Sequence, residues 1–176
     1  MRALIVYESM YGNTHTVAEA IARGIAPSGA VTTIPVSEVS QEDISAYDLL
    51  IVGGPTHVHG MSRESTRRGA VEAAEKPESN LTLEPDAASA GIREWLDALD
   101  RSEGTAAAFD TRVDKPAILT GRASKGISKR LRHLGFTLAA DPESFLVDTQ
   151  TQLLEGEEAR AEQWGEMLAQ KNSART

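Results

Sequence analysis

A chain of 176 residues, 40% hydrophobic and 25% charged, has the size and composition of one globular unit with a single core. A formal net charge of -8 argues against a general nucleic-acid role, because a phosphate backbone would be repelled. The absence of cysteine excludes disulfides, thiolate nucleophiles, Cys-ligated zinc and iron–sulfur clusters, so redox chemistry would need an organic cofactor or His and carboxylate metal ligands.

The N-terminal run from Met1 to Tyr7 is too short to span a membrane and lacks the cleavage region of a signal peptide, so a cytoplasmic protein without a membrane partner is expected. Ala3 to Tyr7 reads as a continuous apolar strand. Val17, Ile21 and Ile25 then recur every four residues and predict a helix, which Pro27, Ser28 and Gly29 end. Val31 to Val36 is a Thr-rich second strand and Leu49 to Val52 a third, followed by a loop from Gly53 to Gly60. A helix is expected from near Ser62 to about Glu75. Lys76 to Ala90, with two prolines and few large apolar residues, reads as an irregular insertion.

Ile92, Trp95, Leu96 and Leu99 mark another amphipathic helix, and Thr105 to Phe109 a fourth strand. The helix carrying Ile127, Leu131 and Leu134 is expected to be capped by Ser124 and stopped by Gly135. Phe145 to Val147 gives a fifth strand. Ala161, Trp164 and Leu168 line a last helix, and Asn172 to Thr176 is expected to fray, leaving residues 1–171 as a single domain. Trp95 and Trp164 both sit in apolar stripes and are read as core residues. Lys125, Lys129, Arg130, Arg132 and His133 are read as a solvated face complementing the helix dipole.

Strands alternating with helices predict an α/β, doubly wound, five-stranded parallel sheet with helices on both faces. Ligands of such sheets lie beyond the carboxyl ends of the strands, which directs attention to the loops after Tyr7, Val52 and Phe109. In the first, Ser9-Met10-Tyr11-Gly12-Asn13-Thr14, hydroxyls, an amide and free backbone N–H groups converge at a helix N-terminus, which suits a phosphate. With no Lys or Arg in the loop, a monophosphate ester fits better than a triphosphate. A capped helix after a tight turn uses the same residue types.

Ser9-Met10-Tyr11-Gly12-Asn13-Thr14 resembles the FMN-phosphate loop of the flavodoxin family, and the order of strands and helices matches the short flavodoxins over nearly the whole chain, which implies a flavodoxin-like sheet in the order 2-1-3-4-5. The resemblance implies that Pro55-Thr56-His57-Val58-His59-Gly60 lies against one face of the isoalloxazine ring, with His57 or His59 in the stacking place where the family often has Trp or Tyr. His57 and His59 could alternatively belong to a metal site, but no Asp or Glu stands near them in sequence, and no metal is expected. The resemblance further implies that the backbone of Phe109-Asp110-Thr111-Arg112 meets the pyrimidine edge of the flavin. Phe109 itself reads as the end of a buried strand. Gly60 is expected to supply a positive-φ turn in the second loop.

No G-x-S-x-G, H-E-x-x-H or G-x-G-x-x-G occurs. The expected function is therefore a monomeric FMN-binding electron carrier working between redox partner proteins, a reductase and an acceptor. The alternatives are an FMN-dependent NAD(P)H or quinone reductase, with the insertion and loop histidines forming a pocket, and a partner-binding module that has lost FMN.

Overall fold

From Ala3 onward β1 (Arg2–Tyr7) can be apolar because both of its faces are covered. Residues 1–39 and 44–174 are described by the computed structural model. Side chains alternate along β1, so Ala3, Ile5 and Tyr7 enter one core and Leu4 and Val6 another. The first core is closed by α1 (Asn13–Ile25) and α6 (Glu157–Ser173) through Val17, Ile21, Trp164 and Leu168. Within it Phe109, Phe145 and Trp164 meet edge to face. The second core is closed by α3 (Ile92–Ala98) and α5 (Ala123–Leu134) through Ile92, Leu96, Ile127 and Leu131, with Trp95 packed at its margin. Helices on both faces of a parallel sheet follow from this division.

The strands pair in the order β2 (Ala30–Pro35), β1, β3 (Leu49–His57), β5 (Gly104–Val113), β6 (Phe136–Leu138), all parallel. β7 (Glu143–Val147) also pairs with β5, but at its other end, beside Phe109–Val113. The fifth position of the expected order is thus shared by two short strands. A further strand, β4 (Gly60–Met61), folds back antiparallel on the end of β3. Among the described residues the sheet has seven strands rather than five.

The strands also run further than their apolar runs suggested. Gly53 to His57, expected as loop, continue β3, and Asp110 to Arg112 continue β5. The two extensions pair with each other, Gly53 with Phe109, Gly54 with Asp110 and Pro55 with Thr111. Glycine and proline conceal a strand from any pattern of hydrophobicity.

α2 (Glu64–Ala74) starts after Ser62, and a short helix, α4 (Ala117–Thr120), precedes α5. Gly135 stops α5 in the left-handed conformation as expected. Ser124 does not cap it: it is the second helical residue, wholly buried, and Asp110 accepts its N–H. α6 continues through Ser173 with Asn172 buried, so the helix runs past the expected start of the frayed tail; Arg175 and Thr176 lie outside the described residues. The insertion 76–90 carries no helix or strand, yet Leu83 and Ala87 pack on Met10, Tyr11 and Ala70. Among the described residues, no helix is long and apolar enough to cross a membrane.

Candidate functional site

The carboxyl ends of β1, β3 and β5 meet around a cavity of about 160 Å³. Its first wall is the loop between β1 and α1, contributing Ser9, Met10, Tyr11, Asn13 and Thr14. Gly12 is the N-cap of α1 with φ 92°, a backbone state that favours glycine, and the cap has no side-chain hydrogen bond. The first intrahelical bond runs from Thr16 N–H to Gly12 O, so the N–H groups of Asn13, Thr14 and His15 have no acceptor within the helix. Ser9 Oγ instead accepts from Gly12 N–H at 3.1 Å, which closes the turn. Asn13 Nδ2 donates to Thr151 O at 2.8 Å, tying the loop to the segment after β7.

Thr14 is 2% exposed, and its hydroxyl lies 2.8 Å from that of Thr111 on β5. Either oxygen can donate, so Thr111 donating leaves the Thr14 O–H free to turn to an anion. Arg112 follows on the cavity wall. Its guanidinium donates to Lys115 O at 2.7 Å, while Nε is buried with no partner among the described residues. Among the described residues Arg112 is thus the one Lys or Arg lining a cavity whose phosphate-type loop has none of its own.

From β3 the cavity receives Pro55, Thr56 and His57. Thr56 Oγ1 accepts the N–H of Ala123 at 2.9 Å, and Asp110 Oδ2 that of Ser124 at 2.7 Å, so β3 and β5 jointly hold the start of α5. Glu8 does the same for α3, its Oε2 accepting Ile92 N–H at 2.9 Å. Burial raises the carboxyls of both Glu8 and Asp110 above their ordinary range. His57 is pushed below its ordinary value by burial and by the charge of Arg67. It is therefore neutral near pH 7 and presents an uncharged ring.

Beyond His57 the chain turns at Val58 and His59, both left-handed at φ 41° and 70°, and returns as β4. The positive-φ turn expected at Gly60 sits at these two residues instead; the backbone of Gly60 is outside that region, with open space where a Cβ would stand. The turn rests on Gly121 (φ 71°), where a Cβ would come 2.2 Å from His59 O.

Of the residues singled out by sequence, the cavity gathers Ser9, Met10, Tyr11, Asn13, Thr14, Pro55, Thr56, His57, Thr111 and Arg112, with Gly12 shaping the loop. Phe109 and Asp110 are wholly buried beneath it, and Val58, His59 and Gly60 line a separate, larger cleft. Val113, Val147 and Thr151 complete the wall without having been anticipated. The insertion was also unexpected here: Glu84 N–H donates to Met10 O at 2.9 Å and its carboxylate lies 3.1 Å from His15 Nδ1, beside the first loop.

The flavodoxin family model matches residues 5–103, which contain the first loop, β3 and the turn after it. The chain belongs to the flavodoxin family. A flavodoxin from Clostridium beijerinckii is 50% identical over 50 residues, a stretch that is 28% of this chain and 36% of that protein. This chain thus matches little more than a third of that curated relative's length. Among solved structures, a flavodoxin from the domain Archaea superposes with a TM-score of 0.68 at 23% identity, covering 98% of this chain and 99% of the other. A flavodiiron core from Synechocystis superposes with a TM-score of 0.63 at 22% identity, covering all of this chain (100%) but 37% of the other. Flavodoxins bind FMN as cofactor, and family and fold together support an FMN-binding, electron-transferring role. The uncapped helix start, with the free N–H groups of Asn13, Thr14 and His15, forms a donor set that fits the phosphate end of that cofactor.

Proposed function

We propose that the protein is a one-domain FMN-binding electron carrier of the cytoplasm that works as a monomer between a reductase and an acceptor protein. The observation that carries this reading is the cavity at the ends of β1, β3 and β5, where neutral hydroxyls and unacceptored N–H groups converge with a single cation. Ser9, Thr14 and the N-terminus of α1 bind the phosphate, Arg112 balances its charge, and Thr111 orients the Thr14 hydroxyl. The cavity is small beside the roughly 300–1,000 Å³ of sites that enclose a whole ligand, so it would hold the phosphate end of FMN, and Pro55, Thr56 and the neutral ring of His57 would be the residues to hold the flavin. Bound FMN supplies one- and two-electron redox chemistry; the chain holds it and sets its surroundings. With a net charge of -8, the protein is steered toward basic patches on its partners.

Stopped-flow reduction of the FMN-loaded protein tests the carrier reading against the reductase one. Reduction by NADPH only when a reductase protein is added supports the carrier. Rapid reduction by NADPH alone, with turnover of a quinone, contradicts it.

A further inference from the structure

On the other side of the Val58–His59 turn lies an open cleft of about 950 Å³, roughly six times the volume of the first cavity. Its walls come from the β3–β4 turn, the start of α2, α3, α4 and the first turns of α5. Although the chain is strongly acidic, the cleft is lined by Arg63, Arg93, Arg122, Lys125 and Arg130, and no carboxylate is among its lining residues. Two of the cations are held by neutral oxygens. Arg93 donates to the carbonyls of Met61 and Ser62 at 2.8 and 2.9 Å, and Arg122 to Ser144 Oγ at 2.9 Å. Arg130 is paired with Asp97 at 2.8 Å, whereas Arg63 and Lys125 have no carboxylate partner among the described residues.

We propose that this cleft binds a small organic ligand carrying two or more phosphate groups, of the nucleoside diphosphate or dinucleotide class. Five cations spread over one concave site match several separated anionic charges, and the planar guanidinium fork suits phosphate oxygens. The volume is at the upper end of the roughly 300–1,000 Å³ of small-molecule sites, too large for a single inorganic anion. Ile118 and Val58, 89% and 81% exposed, give the cleft an apolar margin for a base or ring. Burial and the neighbouring charges of Arg130 and Arg63 push the Arg93 guanidinium down, a repulsion that an anion relieves. A flat acidic protein face would meet only the rim of such a hollow. His57 borders both spaces, so the ligand lies beside the flavin end of the first site; that placement, unlike the cleft's own chemistry, rests on the proposed FMN reading.

Calorimetric titration of the FMN-loaded protein at low salt, with NADP⁺, ADP, pyrophosphate and polyglutamate as probes, tests this. Wild type is expected to bind NADP⁺ and ADP more tightly than pyrophosphate or polyglutamate. In Arg63→Glu/Lys125→Glu the nucleotide affinity should fall roughly tenfold or more, equivalent to about 1.4 kcal/mol, while FMN affinity measured separately by fluorescence is unchanged. Any of four results overturns the proposal: no nucleotide binding at millimolar concentration, equal affinity in the double variant, pyrophosphate or polyglutamate binding as tightly as NADP⁺, or displacement of FMN by NADP⁺. Failure of FMN to bind in the first place would be seen in the fluorescence titration and counts against the carrier reading alone.

Discussion

Replacing Thr14 and Thr111 by valine, singly and together, probes the pair of hydroxyls at the heart of the phosphate site. Thr14 and Thr111 are 2% and 5% exposed and 2.8 Å apart, on elements 97 residues distant in sequence. Either single change leaves the other hydroxyl buried without its partner, at a cost of about 1–3 kcal/mol. The double change replaces both with methyls of the same shape and should cost about 1 kcal/mol or less. The double-mutant cycle should therefore show a coupling on the order of 2 kcal/mol in urea unfolding of the apoprotein. FMN binding responds differently, because only Thr14 is assigned to the phosphate. Thr14→Val and the double variant should each lose roughly 10- to 150-fold in affinity, the equivalent of one hydrogen bond to a charged group at about 1.5–3 kcal/mol. Flavin fluorescence quenching measures it. Additive stability effects would refute the pairing, and an unchanged FMN dissociation constant in folded Thr14→Val would refute the phosphate assignment.

Val58→Asn should stabilise the protein by about 1 kcal/mol in urea unfolding, since Asn tolerates the left-handed state that strains a β-branched residue and the replaced side chain is exposed. Gly60→Ala, by contrast, should leave stability unchanged, because neither its φ nor its surroundings require glycine. Gly121→Ala should cost about 2–4 kcal/mol in the same assay, from left-handed strain plus a backbone contact that has no room to yield. The depressed pKa of His57 makes the unfolded chain bind the proton more readily than the folded one. That contribution to stability is fully present above the ordinary value of 6.5, and is lost as pH falls below it toward the folded value. His57→Gln should remove this component from a pH series of melting temperatures, and an unaltered profile would show that His57 is not the group responsible.

The elements and the two-sided core were legible in the sequence because both rest on hydrophobic periodicity: Ala3 to Tyr7, Val17 to Ile25, and Ile127 to Leu134 signal their elements by spacing alone, whereas the sheet order came from the family resemblance. The first loop was legible for another reason, since Ser9, Gly12 and Thr14 directly follow an apolar strand. What stayed hidden depends on contacts between distant residues. Gly53 to His57 form a strand only because β5 pairs with them, and the splitting of the last strand is set by which end of β5 each piece joins. Ser124 had the residue type of a cap, but a buried Asp110 from another strand took the role. Gly60 had the residue type of a turn, yet hairpin register put the turn at Val58 and His59. Of the residues that form the basic cleft, Lys125 and Arg130 read as a solvated helix face, because only the fold brings them opposite Arg63 and Arg93.

Whether this chain grips FMN by its phosphate is tested by parallel titrations of the apoprotein with FMN and riboflavin. FMN should bind at least roughly tenfold more tightly than riboflavin, and Thr14→Val should narrow this difference by weakening FMN alone. Equal affinity for the two flavins in the wild-type protein would contradict that grip.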